Sequence, residues 1–137
     1  MNTLAQRVQS THARTSPATR ATVDDLEDAL GVTLSRDYRL FLETFGRINH
    51  GAYETYGLGV PADHYLNVQA AYADLSRYRG YPLAAMPLLD VGDGRYYLFD
   101  NQKRQVLLWA SPNGGVVETL VDDLETFLVK KIFGQAD

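Results

Sequence analysis

Residues 86–120 read MPLLDVGDGRYYLFDNQKRQVLLWASPNGGVVETL. Three short runs, Met86 to Val91, Arg95 to Asp100 and Gln105 to Ala110, are rich in apolar and aromatic residues and bounded by turn formers, and a fourth extends from Val116 to Leu120. Runs of this length and composition between turn signals predict β-strands. The connections at Gly92-Asp93-Gly94 and Asn101 to Arg104 are short, and Pro112-Asn113-Gly114-Gly115 contains the Asn-Gly pair that favours a type I′ hairpin. Short links of this kind join antiparallel neighbours, so the stretch predicts a four-stranded antiparallel meander.

Helical spacing flanks the meander on both sides. Thr22 and Asp25 have the spacing of a capping box, Val23, Leu26, Ala29 and Leu30 form an apolar stripe, and Gly31 suits a helix end. Ser35 is a suitable N-cap for a second helix, where Tyr38, Phe41, Leu42 and Phe45 repeat at i, i+3, i+4 and i+7 before Gly46. A third helix starts after Asn67, carries Val68, Ala71, Tyr72 and Leu75 on one face, and closes at Gly80 and Pro82. The last has the spacing Asp122 to Glu125 at its start, Leu124, Phe127, Leu128 and Ile132 as its apolar face, and Lys130 and Lys131 at the negative end of its dipole. Between Arg47 and Leu66 the pattern is irregular, with a short strand expected around Tyr56 to Val60. This order predicts an α+β fold, an antiparallel β-sheet meander with helices packed on one face. Residues 22–134 are expected to form a single domain. Residues 1–21 are expected to be an arm, with a short helix through Leu4, Ala5 and Val8 and a linker from Ser10 to Arg20.

Composition narrows the function classes. The chain has 137 residues, the usual size of one domain, and no cysteine, which excludes disulfides, thiolate metal sites and cysteine nucleophiles. No apolar run approaches the roughly 18 residues of a membrane span, and residues 1–20 lack the apolar stretch of a secretory signal. The expected location is the cytoplasm. The first twenty residues are Arg-, Ser- and Thr-rich and acid-poor like a transit peptide, and are read as a short helix plus polar linker. Three of the 13 Lys and Arg residues, Arg7, Arg14 and Arg20, lie there without any acid, leaving ten against 17 acidic residues, or −7, in the remainder. A body of that charge is repelled by phosphate backbones and attracts basic partners.

The string Asp25-Leu26-Glu27-Asp28-Ala29-Leu30-Gly31-Val32, then Leu34, Asp37-Tyr38-Arg39 and Phe41-Leu42, resembles the opening motif of the SMI1/KNR4 (SUKH) superfamily. The resemblance continues through Asp93-Gly94, Tyr97, Phe99-Asp100, Val106, Trp109 and the helix from Asp123 to Phe127-Leu128, and covers about residues 22 to 133. The chain departs from the family pattern in two places. Ser35 stands where Pro usually precedes the Asp-Tyr block, and Phe45-Gly46-Arg47 stands where Asn-Gly-Gly usually follows it. In bacteria the resemblance implies an immunity protein that binds and blocks a toxin of its own lineage, and in fungi a regulatory scaffold in cell-wall signalling.

No catalytic constellation emerges beside this. Asp90, Asp93 and Asp100 flank tight turns and read as turn formers rather than paired catalytic carboxylates or calcium ligands. His12, His50 and His64 lie at no metal-ligand spacing and read as surface residues, and Trp109 alternates with Leu107 as a core strand residue. Gly57-Leu58-Gly59-Val60-Pro61 lacks the third glycine and the lysine of a phosphate loop. The expectation is no enzyme, no cofactor and no metal.

Tyrosine is abundant, at nine residues, and Tyr53, Tyr56 and Tyr65 fall in the irregular segment beside Glu54, Asp63 and His64. Tyrosine provides large, stiff, amphipathic contact area, and loops are where rigid domains carry binding groups. These six residues form the candidate partner-binding surface. For Tyr53 and Tyr56 a second reading stands equally, that the rings cover the edge of a small core. The expected partner is a basic toxin domain, such as a nuclease or other nucleic-acid-acting toxin, with no direct contact to nucleic acid or membrane. The alternative is a regulatory or scaffold domain without a toxin partner.

Overall fold

A computed structural model describes residues 1–111 and 114–134. Strands β1 to β3 (Arg14–Thr15, Ile48–His50, Tyr53–Glu54) form one antiparallel sheet and β4 to β7 (Ala85–Gly92, Arg95–Asp100, Gln105–Ala110, Gly115–Thr119) another. The larger sheet has strand order β4-β5-β6-β7, the expected meander, with every expected strand in place to within a residue or two. Pro112 and Asn113 of the expected type I′ hairpin lie outside the described residues. The aspartates behave as turn formers: the Asp90 carboxylate accepts from the Gly92 N–H at 2.9 Å, and that of Asp100 from the Gln102 and Lys103 N–H groups at 2.9 and 3.2 Å.

Cross-strand register explains why four consecutive residues of β6, Val106 to Trp109, are all buried. Tyr96 pairs with Trp109 and Tyr97 with Leu108, so the pleat sends Trp109 and Tyr97 to opposite faces. Tyr97 lies 4.8 Å from Phe127 between ring centroids, beneath α5 (Leu124–Phe133). Phe99, two residues on, meets Tyr38 of α3 (Arg36–Thr44) at 6.1 Å. Trp109, fully buried, meets Tyr81 edge-on at 5.1 Å on the other face. Each such apolar side chain contributes about 1.5–3 kcal/mol by leaving water.

The helices start where a side chain satisfies a free N–H. Ser35 caps α3 by accepting from Tyr38 N, and Asn67 caps α4 (Val68–Leu75) by accepting from Ala70 N, both as expected. Two caps differ from the sequence reading. The helix α2 (Arg20–Leu30) is capped by Thr19, whose hydroxyl accepts from Thr22 N at 3.1 Å, so the cap lies three residues before Thr22. The cap of α5 is Asp123, which accepts from Thr126 N at 2.8 Å. Asp122 instead pairs with Lys130 at 3.2 Å, and a Glu125 carboxylate oxygen takes the Leu4 N–H at 3.0 Å.

That last bond anchors α1 (Asn2–Thr11), whose Leu4 is fully buried in the core against α5. The stretch from Ser10 to Arg20 contains β1, which pairs with β2, and is further tied by Ser16 N to Phe45 O at 2.8 Å and Ser16 Oγ to Leu58 O at 2.8 Å. The strand expected at Tyr56 to Val60 is absent. Strands β2 and β3 lie earlier, and Gly57 makes only an isolated parallel bridge to Asn67. Single hydrogen bonds replace the ladder: Gly57 N to Leu66 O, Val68 N to Gly57 O, and Leu58 N to Gly46 O. Glycine is required here because a Cβ on Gly46 would stand 1.7 Å from Ser16 O, and one on Gly57 1.8 Å from Gly46 O. The departure at Phe45-Gly46-Arg47 is thus where three segments cross in backbone contact.

Candidate functional site

Strand β4 carries a register shift between Pro87 and Leu89, which pair with Leu98 and Tyr97 and leave Leu88 as the extra residue. The Leu88 carbonyl accepts from Tyr56 N at 2.9 Å, fixing the irregular segment to the sheet edge. Beyond Tyr56 the chain loops through Pro61, whose carbonyl accepts from His64 N, and returns at Leu66 to enter α4. Tyr56, the loop residues Asp63 to Tyr65, Ala70, Ala71, Asp74 and Leu75 of α4 and Tyr96 of β5 thereby enclose a cleft of about 240 Å³.

The walls of this cleft are aromatic and its charges negative. Tyr56, Tyr96 and the stacked pair His64 and Tyr65, with ring centroids 4.7 Å apart and planes at 20°, form the walls. Ala70 and Ala71 lie on the α4 side, where small residues leave room. Asp63 and Asp74 line it, both solvent-exposed. His64 Nδ1 accepts from Leu66 N at 3.0 Å, so the neutral imidazole carries its proton on Nε2. Burial, followed by Asp90, Tyr96 and Asp74, pushes the Tyr56 hydroxyl well above the usual tyrosine range. The Tyr96 hydroxyl moves the same way through burial, then Asp90 and Tyr78. Both phenols therefore stay neutral donors facing a negative field.

Tyr65 links the cleft to the smaller sheet. Its hydroxyl donates to the Glu54 carboxylate, 2.8 and 2.9 Å from the two oxygens, and this hydrogen bond is the main reason its ionisation is raised. The Arg47 charge opposes that shift. Asn49 Nδ2 reaches the same carboxylate at 3.4 Å. Glu54 also lines a second cleft, of about 330 Å³, with His12, Arg14, Asn49 and His50.

Of the six candidate residues, Tyr56, Asp63, His64 and Tyr65 share one cleft, Glu54 joins them through Tyr65, and Tyr53 stands apart, exposed and paired with His50 across β2 and β3. Tyr56 combines both readings offered for it, half-buried against the core and open to the cleft. Sequence reasoning missed Asp74 and Tyr96. Asp74 lies off the Val68, Tyr72, Leu75 stripe and three residues after Ala71, a position that marks it as outward-facing but not what it faces. Tyr96 is brought in by register alone. His12 is exposed, His64 is half-buried in the cleft wall, and His50 is half-buried against Phe133 at 4.9 Å. Among the described residues no three His, Asp or Glu side chains gather as a metal site, and no helix is long and apolar enough to cross a membrane.

A family model described as SMI1-KNR4 cell-wall, of SUKH type, matches residues 1–133. No curated protein matches the chain. Among solved structures, a protein from Pseudomonas syringae pv. tomato is similar over 98% of this chain and 100% of its own, with a TM-score of 0.80 and 14% identity. At that identity the likeness is one of fold.

Proposed function

The chain belongs to the SMI1-KNR4 family, of SUKH type, and on that premise we propose that it is an immunity protein that neutralises a cognate toxin domain by direct protein contact. The observation that carries this reading is the cleft itself, an aromatic-walled surface with exposed carboxylates on a chain of net charge −4. Aromatic anchors ringed by charge are what a protein interface concentrates its binding energy on. A negative surface steers and captures a basic domain, the sort of surface that toxins acting on nucleic acid need, while repelling nucleic acid and anionic membrane. In this reading the domain does no chemistry and needs no cofactor. The carboxylates of Asp90 and Asp100 accept backbone N–H groups in their own turns.

The test is co-expression with the product of the adjacent reading frame, followed by titration calorimetry on the purified pair. A one-to-one complex whose association slows with salt, together with rescue from toxicity, is expected. Failure to form a complex and failure to rescue would overturn the proposal. A second reading, a regulatory or scaffold domain without a toxin partner, draws on the cell-wall wording of the family description. It expects no neighbouring gene for a large secreted protein with a variable C-terminal domain.

A further inference from the structure

We propose that the cleft between Tyr56, Asp63 to Tyr65, Asp74 and Tyr96 is a receptor for a single arginine side chain of the protein partner. The inference rests on the binding reading above and names the group that the site selects. Four features point to a guanidinium. The walls are rings, Tyr56, Tyr96 and the His64-Tyr65 stack, the group type that attracts a flat cation. The lining carboxylates, Asp63 and Asp74, are exposed, and among the described residues neither is in a salt bridge. Arg77 donates through Nε to the Asp74 main-chain carbonyl at 3.4 Å, leaving the Asp74 carboxylate open to another donor. The volume, about 240 Å³, suits one long side chain rather than a peptide segment.

Arginine fits better than lysine on chemical grounds. A guanidinium is planar, stacks on aromatic faces, is more weakly hydrated than an ammonium and donates in two directions at once. Rings for stacking, Tyr56 and Tyr96, and carboxylates for pairing, Asp63 and Asp74, line the same cleft and are available to it together. Its aliphatic stem would cover Ala70 and Ala71. The position of Asp90 adds to the attraction at longer range, because it raises both Tyr56 and Tyr96 without lining the cleft.

The test uses the full chain, isotope-labelled, titrated with the capped tripeptide Gly-Arg-Gly and followed by NMR. Shift changes confined to Tyr56, His64, Asp74 and Tyr96 are expected. The same peptide with citrulline, the neutral isostere of arginine, should bind at least about tenfold more weakly, and Lys should fall between them. Asp74→Asn, on an exposed helix face, should weaken the arginine peptide by about tenfold with the circular dichroism spectrum unchanged. Equal binding of the citrulline peptide, shifts centred elsewhere, or no shifts at saturating peptide would each overturn the inference. The outcomes separate from those of the functional reading. A toxin complex insensitive to Asp74→Asn removes the arginine receptor and leaves immunity standing. Arginine-specific binding without any toxin complex does the opposite.

Discussion

The meander and the segment from Gly46 to Asn67 are held in place by different physics. In the meander, β4 to β7 exchange ladder hydrogen bonds in an almost continuous register, and both faces of β6 are buried, so many small terms act together. In the segment there is no ladder beyond the short pairings of β2 with β1 and β3. Single backbone bonds from Leu58 to Gly46, Tyr56 to Leu88 and Gly57 to Leu66 fix the chain at points. A surface built on the second plan can carry exposed rings and charges, because its shape does not depend on burying them. That is the physical reason the meander contributes only Tyr96 to the cleft, while Tyr56 and Asp63 to Tyr65 come from this segment.

The comparison can be broken first on the meander side. Trp109→Ala removes a fully buried indole that meets Tyr81, Tyr78 and Tyr96 and should destabilise the domain by about 3–5 kcal/mol in denaturant titrations. The Trp109 Nε1 donor has no partner among the described residues, so Trp109→Phe, which removes that unsatisfied group, should recover a large part of the loss. A loss for Trp109→Ala below about 1 kcal/mol would mean the sheet does not organise the core as described.

On the segment side, Gly57→Ala should cost about 2–3 kcal/mol, since its Cβ would meet the Gly46 carbonyl oxygen and must displace backbone. Gly31→Ala, at φ 66 with open space around it, carries only the left-handed backbone cost of about 1–2 kcal/mol. Hydrogen exchange should separate them further, with Leu58 and Val68 amides losing protection in Gly57→Ala and keeping it in Gly31→Ala.

How far each region was legible in the sequence follows the same division. Strands β4 to β7 and the starts of α3 and α4 could be read because periodicity, turn residues and caps are local signals, and the core Tyr38, Phe41, Leu42 and Trp109 follows from them. Local signals also misled at two helix starts: Thr22 and Asp122 have a capping spacing, but the caps are Thr19 and Asp123. The six candidate residues were found by composition alone. Their partners Asp74 and Tyr96 come from a helix and a strand that meet the loop only in three dimensions, through a register shift at Leu88 that nothing in the local sequence announces.

The α5 cap offers a smaller calibration that is sensitive to pH. The Thr126 N–H, then the Thr126 hydroxyl, hold the Asp123 carboxyl below its ordinary range. A carboxyl depressed in the folded state contributes stability that is present above the unfolded value and is lost as pH falls through the folded one. Asp123→Ala should therefore cost about 1 kcal/mol at neutral pH, and the gap to the parent should close as pH drops below the usual carboxylate range. A gap that stays constant down to acid pH would assign the loss to something other than the charged cap.

The smallest effect expected in stability is also the most local probe of the site. Tyr65 is 66% exposed, so Glu54→Gln should leave the melting temperature nearly where it was. What should change is the ionisation of Tyr65. A carboxylate that accepts the phenolic hydrogen favours the neutral phenol and repels the phenolate, which holds the group above its ordinary range. With a neutral amide at position 54 the repulsion disappears, the Arg47 charge acts unopposed, and the Tyr65 resonance followed by NMR should titrate at lower pH than in the parent. Tyr56, raised chiefly by burial and then by Asp90, serves as the internal control and should not move. A Tyr65 titration indifferent to Glu54→Gln would mean that the two side chains do not meet in solution, and the link between the cleft and the smaller sheet would be lost.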